Sequence, residues 1–142
     1  MTEVRPARGA GEVAAAMALR RVVFCDEQGV SLADELDGRD DEALHLVVVE
    51  DGAVVGTCRL VADGETVKLA RMAIARTARG RGLAGALLAE AEEQARAFGG
   101  RRIALDAQLT ARGVYERAGY RAHGDVFLDA GIEHVAMTRN LA

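Results

Sequence analysis

The sequence predicts one mixed α/β domain over residues 1–142, with a central sheet that begins antiparallel and later gains a parallel pair. Three observations carry this. Two Asp-Gly pairs, Asp51-Gly52 and Asp63-Gly64, separate three runs rich in apolar and β-branched residues, and this dipeptide favours a tight hairpin turn whose central residues need positive φ. Across 83–98 the apolar residues then recur at helical spacing, and Gly99-Gly100 supplies a stop. A short apolar run at 102–106 follows directly, the order expected of a strand-helix-strand crossover and hence of a parallel pair.

Taken in order, a short apolar start at Val4 precedes EVAAAMALRRVVF, residues 12–24, which is Ala-rich with apolar positions three and four apart. That pattern predicts a helix ending near Gly29. The acidic stretch DELDGRDDE, residues 34–42, reads as a loop. It is able to attract a cationic amine, although a charge run in a loop is more often simply solvated. Strands are expected at Leu44 to Val49, Val54 to Val61 and Val67 to Ile74, giving an antiparallel meander. LAGALLAEAEEQARAF, residues 83–98, places Leu83, Leu87, Ala91, Ala95 and Phe98 on one helical face. RIALD, 102–106, is the strand predicted to lie parallel to 67–74. A helix over Thr110 to Ala118 ends at Gly119, and strands near Tyr120 to Leu128 and His134 to Arg139 finish the chain.

Composition narrows the function. Charged residues are 28% and hydrophobic ones 50%, an ordinary globular balance, and no apolar run reaches the length of a membrane span. With no signal-peptide pattern at its start, the chain reads as a cytoplasmic protein with no membrane partner. A net charge of -4 with few aromatic residues argues against a nucleic-acid partner. Cys25 and Cys58 form no C-x-x-C pair, so they are expected to be reduced thiols, and no metal site is expected. His134 and both cysteines are assigned to packing or surface.

The stretch ARGRGLAG, residues 78–85, admits two phosphate-binding readings. Gly80, Gly82 and Gly85 match G-x-G-x-x-G, and Asp106 sits where a ribose-binding acid would be expected in a dinucleotide fold. Against that reading, five residues from Ala75 to Arg79 separate the strand from the first glycine, the preceding strands are joined by hairpins, and one crossover cannot build two mononucleotide-binding halves. The other reading is Arg79-Gly80-Arg81-Gly82-Leu83-Ala84 as R-x-x-G-x-[GA], a loop of free N–H groups opening a helix and suited to a pyrophosphate. Arg76, Arg79 and Arg81 add cationic donors. A solvated Arg-Gly loop capping a helix is the plain alternative.

RMAIARTARGRGLAGALL followed by QLTARGVYERAGY resembles the GNAT family of N-acetyltransferases, whose strand-loop-helix motif is followed by N-x-x-A-x-x-[LF]-Y-x-x-x-G-[FY]. The resemblance covers nearly the whole chain. RRVVFCDEQGV, the acidic loop with Ala43-Leu44-His45, and FLDAGIEHVAM further resemble the ElaA/YjcF-like subgroup.

The resemblance implies a GNAT-like sheet with helices on both faces, acetyl-CoA as acyl donor, and transfer of an acetyl group to a small-molecule or peptide amine. The enzyme would be a monomer or homodimer. Arg79, Gly80, Arg81, Gly82, Leu83 and Ala84 match the pyrophosphate loop. Met72, Ala73 and Ile74 match the strand that pairs with the pantetheine arm and polarises the thioester. Gln108 stands where many members carry an Asn that contacts the cofactor, and Ala84 where Gly is commoner. Tyr115 matches the tyrosine near the cofactor sulfur, a candidate general acid, with a half-buried structural tyrosine as the alternative. For the base, Glu27 and His45 are candidates, each with a bland reading: a solvated helix-end acid and a satisfied strand residue. Proton removal through ordered water stays open. A non-catalytic acyl-CoA sensor of the same fold is the rival from another class.

Overall fold

The computed structural model describes residues 1–141. Its sheet is built around β2 (Leu44–Glu50), β3 (Ala53–Asp63) and β4 (Thr66–Ile74), the antiparallel meander expected from the Asp-Gly turns. In the first turn Asp51 and Gly52 both take positive φ, at 50° and 82°. The second differs: Asp63 pairs with Thr66, so Gly64 and Glu65 are the central residues and Gly64 alone turns left-handed.

β1 (Thr2–Pro6) adds to the outer side of β2 as an antiparallel strand that the sequence did not announce. It has one large apolar residue, Val4, and ends on a proline, which an edge strand tolerates because one of its sides has no ladder partner. α1 (Gly9–Arg20) follows and runs on as a π-helical segment, Arg21–Glu27. That widened stretch buries Val23, leaves Val22 exposed and ends at Glu27 and Gln28.

The acidic stretch is more ordered than a solvated loop. It contains a short helix, α2 (Leu32–Glu35), capped by the Ser31 side chain on the Asp34 N–H, and a single turn at Asp40–Glu42. Glu35 is buried, because Arg20 and other arginines enclose the segment from beneath.

α3 (Leu83–Ala97), β5 (Arg102–Gln108), α4 (Arg112–Arg117), β6 (Arg121–Asp129) and β7 (Ile132–Asn140) complete the chain. The strand order is β1-β2-β3-β4-β5-β7-β6, with β5 parallel to β4 and β7 inserted between β5 and β6. Among the described residues, one parallel contact in six strand pairings rules out a doubly wound dinucleotide fold.

Alternation along β2 shows how the helices are divided between the faces. Leu46 and Val48 join Leu87, Leu88, Ala91 and Ala95 of α3 in the main core, while Val47 and Val49 pack with Ala16 of α1. β2 is thus apolar on both faces, which explains why its sequence reads as a continuous run rather than an alternating one.

Candidate active site

Two departures from regular pairing open the sheet. The β4–β5 ladder has three rungs, from Thr66 with Arg102 to Lys68 with Ala104, after which the strands part. On its other edge β4 carries a bulge: Arg59 faces Ala70 and Thr57 faces Ala73, so Arg71 and Met72 together oppose Cys58. The extra residue bends the strand and swings Met72, Ala73 and Ile74 away from β5. The result is a cleft of about 1480 Å³ that runs from this gap to the start of α3.

The glycine loop forms one end. Gly80 and Gly82 both have φ of 76°, and Gly82 is the residue preceding α3. A Cβ at either would meet nothing within 4 Å, so glycine is needed there for the left-handed backbone and not for room. Among the described residues, none of the backbone N–H groups from 80 to 85 donates to a backbone carbonyl outside the regular elements, and the first bond of the helix start is Ala86 N–H to Gly82 O. Free donors at a helix N-terminus, with two left-handed glycines among them, make an anion cradle. This fits the pyrophosphate of an acyl-CoA.

Of the loop arginines, Arg79 lines the cleft. Its Nε donates to the Ile74 carbonyl at 3.0 Å and its Nη2 to Glu27 at 2.7 Å. Arg81 does not line the cleft and is paired with Glu50, whose carboxyl it holds down to about 2. Leu83 packs against the core, and Ala84 lines the cleft beside Gly85, which lies inside the helix.

Tyr115 stands on the cleft wall with its ring in the core, 7% exposed and edge-on to Tyr120 at 6.1 Å. Burial, with the nearby Cys58 adding to it, raises its phenol above the ordinary tyrosine value, so the proton stays on. Cys58 itself is buried and pushed up to about 12, an inert thiol. Gln108 lines the same cleft and donates to the Gln28 side chain at 2.9 Å, tying β5 to the end of the α1 segment.

The two base candidates are separated. Glu27 lines the cleft, held by Arg79. His45 lies under the acidic segment, 6% exposed and outside the cleft lining. Its Nε2 is 3.0 Å from the Asp40 carbonyl, which can only accept, so the proton sits on Nε2 and the buried Nδ1 is left without a partner.

Sequence reasoning missed one cluster. Arg20 and Arg59, 1% and 4% exposed, meet Glu35, Asp37 and Asp40: Arg20 lies 2.6 Å from both Glu35 and Asp40, and Arg59 3.1 Å from Asp40 and in contact with Asp37. Arg59 draws the Asp37 carboxyl below the ordinary range against the opposing pull of burial. For Asp40 burial is the largest influence and pushes upward, but Arg20 and Arg59 outweigh it. A signal was available, since Arg20 and Arg59 are charges embedded in the apolar runs AMALRRVVF and VVGTCRLVA and needed partners that only the acidic run supplies.

Comparison with known proteins bears on the fold and the family. A family model described as an acetyltransferase (GNAT) domain matches residues 19–141. The N-acetyltransferase YjcF of Bacillus subtilis is 32% identical, covering 86% of this chain and 88% of its own. An acyl-CoA N-acyltransferase from Pseudomonas aeruginosa superposes with a TM-score of 0.84 at 28% identity over 98% of both chains. ElaA of Escherichia coli shares the fold, with a TM-score of 0.84 at 20% identity over 98% of both chains. The chain belongs to the GNAT family of acetyltransferases and is an acyltransferase.

Proposed function

We propose that the protein transfers an acetyl group from acetyl-CoA to a primary amine, by direct attack of the amine within a ternary complex. The observation that carries this reading is one continuous cleft joining three features: the free N–H groups of the glycine loop, the bulged strand parted from β5, and the Tyr115 ring. Acetyl-CoA supplies an activated acyl group as a thioester.

On the side of the protein, residues 80–85 would hold the pyrophosphate through their main-chain donors. The unpaired edge of Met72 to Ile74 would hold the pantetheine arm and donate to the thioester oxygen, where charge develops during attack. As the amine nitrogen bonds to the acyl carbon and the carbon–sulfur bond breaks, Tyr115 delivers a proton to the departing thiolate. The ammonium proton leaves toward Glu27, directly or through water, because Glu27 lines the cleft and His45 does not. The acceptor is a small-molecule or peptide amine.

Thiol release from acetyl-CoA, measured across a panel of primary amines, tests the proposal. Amine-dependent release is the expected result. A protein that binds CoA but releases no thiol with any amine would instead be a sensor, and one that fails to bind CoA would overturn the donor site as well.

A further inference from the structure

Arg71 holds a left-handed backbone in a bulge where glycine would sit without strain. Among the described residues, three other than glycine have positive φ: Asp51, Arg71 and Ala130. Asp51 and Ala130 each precede a glycine in a hairpin turn, where that conformation is ordinary. Arg71, at φ 59°, lies within β4, in the bulge that opens the cleft. Left-handed backbone is unfavourable for an arginine, and glycine would adopt it freely. A strained residue persists where its side chain is used.

The side chain reaches across the cleft wall. Its Nη2 donates to the Glu35 carbonyl at 3.0 Å and the Asp34 carbonyl at 3.3 Å, and its Nε to the Glu35 carbonyl at 3.2 Å. The Asp37 carboxylate lies 3.4 Å away and that of Glu35 3.6 Å. Arg20 and Arg59 complete the set, so three arginines face the three carboxylates of Glu35, Asp37 and Asp40. Apolar packing does little to hold this segment, for Leu32 and Leu36 are 42% and 44% exposed. It is fastened by charge. Arg20 and Arg59 grip its side chains, whereas Arg71 is the arginine that grips its main chain, at Asp34 and Glu35, with His45 holding the Asp40 carbonyl at the far end, and of these arginines Arg71 belongs to the strand segment next to Met72.

We propose that Arg71 is a positioning residue that clamps segment 31–40, the wall carrying Asp34, Glu35 and Asp37, to the bulge of β4, so that filling the donor side of the cleft orders the opposite wall. The inference rests on the donor-site reading above. A ligand that bonds to the main chain of Met72 to Ile74 fixes the bulge, and the fixed bulge holds the guanidinium against the two carbonyls. Such coupling is reciprocal, so an ordered wall also favours donor binding.

Amide hydrogen exchange with and without coenzyme A tests this without knowledge of the acceptor. In the native protein, saturating coenzyme A is expected to slow exchange in 72–85 and, by about fivefold or more, in 31–40. In Arg71→Gly and Arg71→Ala the protection of 72–85 persists while that of 31–40 falls below about twofold, with Arg71→Lys between them. Arg71→Gly relieves the backbone strain, so loss of protection there is not a folding defect. Equal protection of 31–40 in the native protein and both variants, or protection of 72–85 without 31–40 in the native protein, overturns the clamp and leaves the donor site standing. No protection in either segment overturns both.

Discussion

Tyr115 makes the sharpest residue-scale prediction because its ring and its hydroxyl have separable duties. The ring packs in the core against Tyr120, and the residue also lines the cleft, where the proposed reaction would use its hydroxyl. Tyr115→Phe conserves the packing, so stability is expected to change by less than about 1.5 kcal/mol. The turnover rate should fall on the order of 10²-fold or more, the usual contribution of a positioned acid. CoA affinity, read by titration calorimetry, should not change, and a variant with undiminished thiol release would remove Tyr115 from the mechanism. Because burial raises its ionisation above the ordinary value near 10, Tyr115 stays protonated through the working range, and an alkaline loss of activity below about pH 10 belongs to another group. Glycines 82 and 85 give a second residue-scale contrast. Gly82→Ala forces a side chain into φ 76° and is expected to cost about 1 kcal/mol and to weaken CoA binding. Gly85 is helical with open space around it, so Gly85→Ala should stabilise by about 0.5 kcal/mol or slightly more. Denaturant midpoints of the two variants that moved in the same direction would contradict this.

Elements differ in how much of them local sequence determines. β2, β3, β4 and α3 fall within a residue or two of their expected limits, since period-two and period-3.6 patterns and the glycine stops are local signals. β1 was not legible because an edge strand contributes one apolar side chain and takes its partner from 40 residues onward. The insertion of β7 between β5 and β6 is equally non-local. Of the site, the glycine loop and Tyr115 were readable as motifs, whereas the Arg71 bulge depends on how β4 pairs with β3, and the ion pairs on what the acidic segment covers. The loop before α3 also shows two arginines of one motif with different surroundings. Arg79 points into the cleft between Glu27 and the Ile74 carbonyl, while Arg81 is turned to Glu50. Arg79→Ala should therefore weaken CoA binding several-fold more than Arg81→Ala, as measured by titration calorimetry. Equal losses would mean that Arg81 swings into the cleft when the donor binds.

At the scale of the whole molecule, the charge cluster joins α1, the acidic segment, β3 and β4 and makes the fold sensitive to acid. Asp37 and Asp40 titrate below the ordinary carboxylate range in the folded protein. On acidification through about pH 4 the unfolded chain therefore takes up protons first, and the stability that these groups contribute at neutral pH drains away as the pH falls toward their folded values. Arg59 is the main reason for the Asp37 shift and also meets Asp40, so its removal changes both the level and the slope of this dependence. Arg59→Met keeps the bulk of a buried side chain on β3 but leaves Asp37 with only Arg71 at 3.4 Å and the Arg39 N–H, and Asp40 with Arg20 alone. Because Asp37 is reached by solvent and both carboxylates keep a second arginine, losing the Arg59 contacts is expected to destabilise the protein by about 1.5–3 kcal/mol at neutral pH. The same variant should lose less on acidification, because its carboxylates already titrate closer to their unfolded values, and the two urea-midpoint curves should converge between about pH 5 and pH 3. Parallel curves over that interval would show that acid sensitivity arises elsewhere, and a variant as stable as the native protein at pH 7 would show that hydrophobic packing, not charge, holds the segment over the cleft.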